Sequence, residues 1–234
     1  MIKNALIVGA GAGTSASFAR ILARQGAKVA LAARNVDKLQ SLVKEIDGLS
    51  ITCDATEVSQ VADLFTELDQ STGTPDVVLY NASAYTAGPV ATLDPALVHN
   101  SIMQTAYGAF LVAQQAAGRM LDAGHGAIFF TGATASVKGF PHFAPFAMGK
   151  FALRGLTQSL ARELGPQNIH IAHFIIDGSI ASPGRDLSID EAASNAGDGE
   201  LEPDAIAETY LAVLKQHRSA WSQEIDLRPW KENF

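Results

Sequence analysis

Cysteine is almost missing from this chain. Among its 234 residues only Cys53 carries a thiol, so no internal disulfide can form, which fits a reducing compartment. Long apolar runs are missing as well. None approaches the ~18 residues of a membrane span, and the expectation is a cytoplasmic protein with no membrane partner. Positive charge is in deficit: 17 Lys and Arg stand against 24 Asp and Glu, a formal net charge of −7. That balance argues against nucleic acid as a partner. His99, His125, His170 and His173 show no metal-ligand spacing, and no metal is expected.

What is present is an alternation of apolar strand segments and helix-patterned segments from end to end. With 47% hydrophobic and 18% charged residues the composition is globular. Strands are expected at Ala5–Val8, Lys28–Ala33, Leu49–Cys53, Asp76–Tyr80, Gly126–Phe130, Ile169–Ile176 and Glu224–Leu227. Helices are expected at Ser15–Gln25, Val36–Ile46, Val58–Leu68, from Asp94-Pro95 to about Leu121, at Phe146–Leu164 and at Pro203–Gln216. No repeat, linker or composition break interrupts them. The expected fold is α/β: a doubly wound parallel sheet of about seven strands with helices on both faces, forming one domain over residues 1–234.

Two features of this pattern carry chemistry. The first is Gly9-Ala-Gly11-Ala-Gly13-Thr14-Ser15, between the first strand and the first helix. Glycines there permit a tight turn and let bare N–H groups approach a pyrophosphate at a helix N-terminus. The second is the end of strand two, Ala32-Ala33-Arg34. A carboxylate at this place holds a ribose 2′-hydroxyl in NAD sites. A neutral Ala33 followed by Arg34 suits a 2′-phosphate, so NADP(H) is the expected cofactor.

In that order of motifs the chain resembles a short-chain dehydrogenase/reductase of the classical type over nearly its whole length. The family's Thr-Gly-x-x-x-Gly-x-Gly reads here from Val8 to Ser15, with Ser15 in place of the last glycine. The resemblance implies that Asp54 meets the adenine and that Asn81-Ala82-Ser83 stands for Asn-Ala-Gly. It also implies that Asp177-Gly178 replaces Pro-Gly beside the nicotinamide, with Ile180 and Ser182 following on the cofactor.

The catalytic set implied by the resemblance is irregular. Tyr-x-x-x-Lys becomes Phe146-Ala-Met-Gly-Lys150, so the lysine that binds the nicotinamide ribose is kept and the acid is lost. The serine that orients a carbonyl falls at Ala133 or Thr134, and the helix Asn of the water relay at Thr105. Phenylalanine has no proton to give, and loss of a positioned acid costs ~10²–10⁴ in rate. His142, four residues before Phe146, is the first candidate for a substitute; Tyr85, Tyr107, Thr134 and Ser136 are weaker ones.

Reduction of an iminium needs no such proton, so imines and conjugated carbonyls are expected to outperform simple ketones. The expected activity is NADP-dependent hydride transfer to a small carbonyl, enone or imine. The alternative is a catalytically impaired NADP-binding protein with a sensing or assembly role. A substrate lid is expected around residues 178–202. Small residues at Ala152, Gly155 and Ser159, together with the family's helix pairing, point to a homodimer or homotetramer.

Overall fold

The computed structural model describes residues 2–181 and 199–231. Seven parallel strands form one sheet in the order β3-β2-β1-β4-β5-β6-β7. They are β1 Asn4–Val8, β2 Lys28–Ala33, β3 Leu49–Thr52, β4 Val77–Tyr80, β5 Gly126–Thr131, β6 Ile169–Ile176 and β7 Glu224–Leu227. The helices are α1 Thr14–Arg24, α2 Gln40–Ile46, α3 Val58–Ser71, α4 Pro95–Ile102, α5 Gly108–Ala123, α6 Ala144–Leu164 and α7 Pro203–Leu214. The expected α/β doubly wound architecture is the one found.

The strands read as unbroken apolar runs because both faces of a parallel sheet are covered. Side chains alternate between two cores. Ala5, Ile7, Leu79 and Phe129 pack beneath α1 and α7, against Phe18, Leu22, Ile206 and Tyr210. Leu6, Val8, Tyr80 and Phe130 pack beneath α3, α5 and α6, against Phe65, Val112, Ala116 and Leu153. Burying a Leu, Ile or Phe fully stabilises by roughly 1.5–3 kcal/mol, and most of these are fully buried. Asp94 caps α4 as its sequence suggests, accepting the Ala96 N–H at 2.8 Å, with Pro95 opening the helix.

Most helix ends shift from the expectation by a few residues, as where a 3-10 turn at Asp37–Leu39 precedes α2 and α3 runs on to Ser71, and two differences have a visible cause. The long region after Asp94 is broken by a π-helical turn at Met103–Tyr107. Tyr80 donates its hydroxyl to the Gln104 carbonyl at 2.5 Å, drawing one carbonyl out of the regular ladder. Helix α6 starts at Ala144, ahead of Phe146, because Pro145 occupies the first turn, where its missing N–H costs nothing.

The strand order reverses at β1, which pairs with β2 on one side and β4 on the other. A crevice opens there beyond the strand ends, the usual ligand position in a doubly wound sheet.

Candidate functional site

The crevice begins at Gly9. Its φ is +80°, and a Cβ would collide with the Ala82 backbone. Glycine therefore lets the ends of β1 and β4 meet, and the Asn81 N–H reaches the Val8 carbonyl at 2.8 Å. Gly11 and Gly13 differ: a Cβ on either meets nothing within 4 Å. Internal packing does not require them, and both border open space at the start of α1. No side chain caps that helix, and the buried Thr14 hydroxyl has no hydrogen-bond partner. Ser15 is engaged internally. Its Oγ accepts the Gly11 N–H at 2.9 Å and lies 3.2 Å from the Gly11 carbonyl, which ties the loop to the helix.

Beyond this loop lies a cavity of about 290 Å³, bordered by Arg34, Lys38, Asp54, Asn81 and Ala82 among others. Arg34 is exposed and Ala33 buried. Of the described residues lining this cavity the one carboxylate is Asp54, whose Oδ1 accepts the Thr56 N–H and hydroxyl at 3.0 and 2.8 Å. Lys38, in the 3-10 turn Asp37–Leu39 that follows β2, is a second cation that the motif comparison did not single out. Cys53 also borders the cavity, but burial raises its thiol to about 11, so it stays protonated and unreactive.

A second cavity of about 860 Å³ joins the first through Asn81 and Ser83. Its wall includes Tyr85, Phe140, Phe143, Phe146, Thr134 and Lys150. Lys150 projects from α6 and is buried, donating to the Thr131 carbonyl at 2.8 Å. Burial without a carboxylate partner pushes its pKa down to about 7. One turn earlier, Phe146 packs edge-on against Tyr85, with ring centres 5.2 Å apart, and Tyr85 also meets Phe143 at 5.5 Å.

Thr134 donates its hydroxyl to Asp177 Oδ1 at 2.5 Å. The other carboxylate oxygen faces Arg228 at 3.6 Å. Asp177 directly follows β6 and is buried, and its role was not legible from its place in the Pro-Gly motif. Behind Thr134, Ser136 Oγ accepts the Ala133 N–H at 3.1 Å and meets His173 Nε2 at 3.3 Å. His173 Nδ1 lies 3.1 Å from Glu224, which Arg154 grips at 2.7 Å. Desolvation outweighs Glu224 and pushes His173 down to about 4.

The remaining candidates fall as follows. Thr105 is buried away from the wall. It lies 3.2 Å from Ser83 Oγ and accepts the Ala84 N–H at 3.4 Å, so it braces the β4 loop. His142 is exposed, in a left-handed conformation with φ +70°. Its side chain is not part of the cavity wall, whereas Phe140 and Phe143 on either side are. Gly178 has φ +144° and abuts Pro229 and Leu201. Ile180 forms a parallel bridge with Leu201, joining the two ends of the expected lid. Ser182 and the rest of that lid, residues 182–198, lie outside the described residues. Among the described residues no cluster of His, Cys, Asp and Glu could hold a metal, and no helix is long and apolar enough to cross a membrane.

Comparison with known proteins accords with this geometry. The family model described as short chain dehydrogenase matches residues 3–185. An uncharacterized oxidoreductase of Staphylococcus aureus is 29% identical, with 97% of each chain covered. A solved short-chain dehydrogenase from Rhodopseudomonas palustris is 32% identical over 97% of this chain and 99% of its own, with a TM-score of 0.83. A metagenomic short-chain oxidoreductase solved with NADP is 26% identical over 97% and 96%, with a TM-score of 0.82. A doubly wound sheet with a glycine crevice at its switch point, matched over most of its length, makes this chain a member of the short-chain dehydrogenase family.

Proposed function

We propose that this oxidoreductase uses NADP(H) and transfers hydride to a small carbonyl, enone or imine. The observation that carries the reading is the open glycine edge. Gly11 and Gly13 have space a Cβ could enter, and the Thr14 hydroxyl is buried without a partner. A buried orphan donor asks for an acceptor, and a pyrophosphate oxygen at an uncapped helix N-terminus is a fitting one. Arg34 and Lys38 supply positive charge where a 2′-phosphate would lie. Asp54 offers Oδ2 toward an adenine, and Asn81 and Ala82 form the floor between the cavities. Lys150 is placed to hold the nicotinamide ribose, with Gly178 and Ile180 bounding that end. When bound, the reduced cofactor supplies the hydride.

The chain's own residues set the rest. Phe146 excludes water without giving a proton, and Thr134 faces the reacting end. The outward Ala152, Gly155 and Ser159 on α6 support a homodimer or homotetramer. The same Phe146 supports a second reading, a catalytically impaired NADP-binding protein that senses or assembles.

Calorimetric titration of NADPH into the wild type and Lys150→Ala tests the cofactor frame. Clear binding, weakened in the variant, is expected; equal affinity would refute the role of Lys150. NADPH oxidation across a ketone, enone and imine panel separates the two readings. No turnover with any member would favour the binding protein.

A further inference from the structure

An alcohol-forming reductase must give its substrate oxygen a hydrogen bond. Of the hydroxyl-bearing residues that line this cavity, Thr134 stands beside the buried Asp177, and its single hydrogen is already given to that carboxylate at 2.5 Å. A hydroxyl has one donor hydrogen and two acceptor lone pairs. What Thr134 presents to the cavity is therefore an acceptor, with a buried carboxylate behind it. A carbonyl oxygen carries only lone pairs and would meet this corner acceptor to acceptor. Charge developing on that oxygen would be opposed by Asp177, and Phe146 could not relieve it.

The opposite walls agree. Tyr85 and Phe143 stand 5.5 Å apart and Tyr85 and Phe146 5.2 Å apart, and Phe140 completes an aromatic side to the cavity. Aromatic faces attract cations held near them. Lys150 Nζ, 5.7 Å from the Phe146 ring, gives one hydrogen to the Thr131 carbonyl, and burial that lowers its pKa to about 7 leaves it mostly an uncharged amine above that pH. Arg228 lies 3.6 Å from the far oxygen of Asp177, while the near oxygen holds the Thr134 hydrogen.

We propose that this corner binds its substrate as a cation, a protonated cyclic imine, of which a protonated cyclic amine is a non-reacting mimic. The N–H donates to Thr134 Oγ1 in the field of Asp177, and the ring is boxed by Tyr85, Phe143 and Phe146. The inference rests on the oxidoreductase reading and narrows its substrate class. With a reduced nicotinamide as reductant, hydride brings two electrons to the C=N carbon. The C=N π pair moves onto nitrogen, and the amine is complete with no proton taken from the protein.

The test is binding, so turnover is not needed. Tetrahydroisoquinoline, protonated near neutral pH, and the neutral ketone 2-tetralone are titrated calorimetrically into the free chain and into chain saturated with NADPH. The amine is expected to bind roughly tenfold more tightly or better, the size of one charge-assisted hydrogen bond. Asp177→Asn and Thr134→Val should each bring the ratio toward one, with folding checked by thermal unfolding. Thr134→Val decides if Asp177→Asn does not fold. A wild-type ratio near one, or a ratio that survives substitution in a folded variant, would overturn the proposal. Failure of NADPH to bind would instead overturn the NADP(H) reading, and the amine-to-ketone ratio on the free chain would still decide this one.

Discussion

Lys150 Nζ lies 5.7 Å from the centre of the Phe146 ring, one turn apart on α6. A phenol at position 146 would enter the wall of the larger cavity on the same helical face as the lysine. Phe146→Tyr is therefore expected to raise ketone reduction by ~10²-fold or more, the scale of a positioned acid. Imine turnover should gain far less, because it lacks no proton. Initial rates of NADPH oxidation on matched ketone and imine substrates measure both. Equal gains on the two classes would show that the phenol acts through something other than proton supply.

Arg34 follows the buried Ala33 at the end of β2 and borders the smaller cavity with Lys38. Arg34→Ala should weaken NADPH by roughly tenfold, toward the low end for a charge-assisted contact because the guanidinium is exposed. NADH, which lacks the 2′-phosphate, should change by less than about twofold. Lys38→Ala should act in the same direction. Calorimetric titration of both cofactors checks this, and equal losses for both would remove the phosphate-reading role.

Much of this arrangement was legible because its causes are local. Ala5–Val8 is an unbroken apolar run because β1 is covered on both faces, and Asp94-Pro95 carries its own capping chemistry. The parts that were not legible depend on partners distant in sequence. The π-helical turn at Met103–Tyr107 is made by a hydroxyl on β4 reaching Gln104, which no local pattern announces. Asp177 reads in sequence only as a missing proline. It meets Thr134 because β5 and β6 pair in a register that sets Thr131 beside Phe174, bringing the residues after both strands together. His142 is placed well by spacing, four residues before Phe146, yet its left-handed backbone carries it outside the wall.

Burial holds the Lys150 pKa down to about 7, far below that of a lysine in an unfolded chain. Between those values the unfolded chain binds a proton that the folded chain does not. Unfolding free energy should therefore rise with pH from about 7 toward 10, by at most ~1.4 kcal/mol per unit. Lys150→Met keeps the aliphatic stem, lacks the charge and should flatten that window. Urea unfolding of both proteins across it is the measurement, and parallel curves would mean that the ammonium is better solvated than its burial indicates.

The last prediction concerns the buried group behind Thr134. His173 is fully buried and pushed down to about 4, chiefly by desolvation, although Glu224 works the other way. It stays neutral in the folded chain as the pH falls from about 6.5, where an unfolded histidine takes up its proton. Its contribution is thus present above that value and lost as pH falls through about 4, again by at most ~1.4 kcal/mol per unit. Lys150 acts in a separate, higher window, and the Glu224 carboxyl, lowered first by the Arg154 hydrogen bond, responds below the histidine's upper limit. His173→Gln should therefore reduce the slope between about pH 6.5 and 5, where carboxylates contribute least. Gln can still reach toward Ser136, so Ser136→Ala separates position from charge. It leaves the Ala133 N–H without its acceptor at 3.1 Å, a cost of roughly 1–3 kcal/mol, while keeping the histidine's pH response. If Ser136→Ala lowers stability evenly across the pH range and His173→Gln changes only the acid slope, the two act as assigned. If Ser136→Ala alters the slope instead, the serine sets the protonation of His173 rather than the position of Ala133 and Thr134.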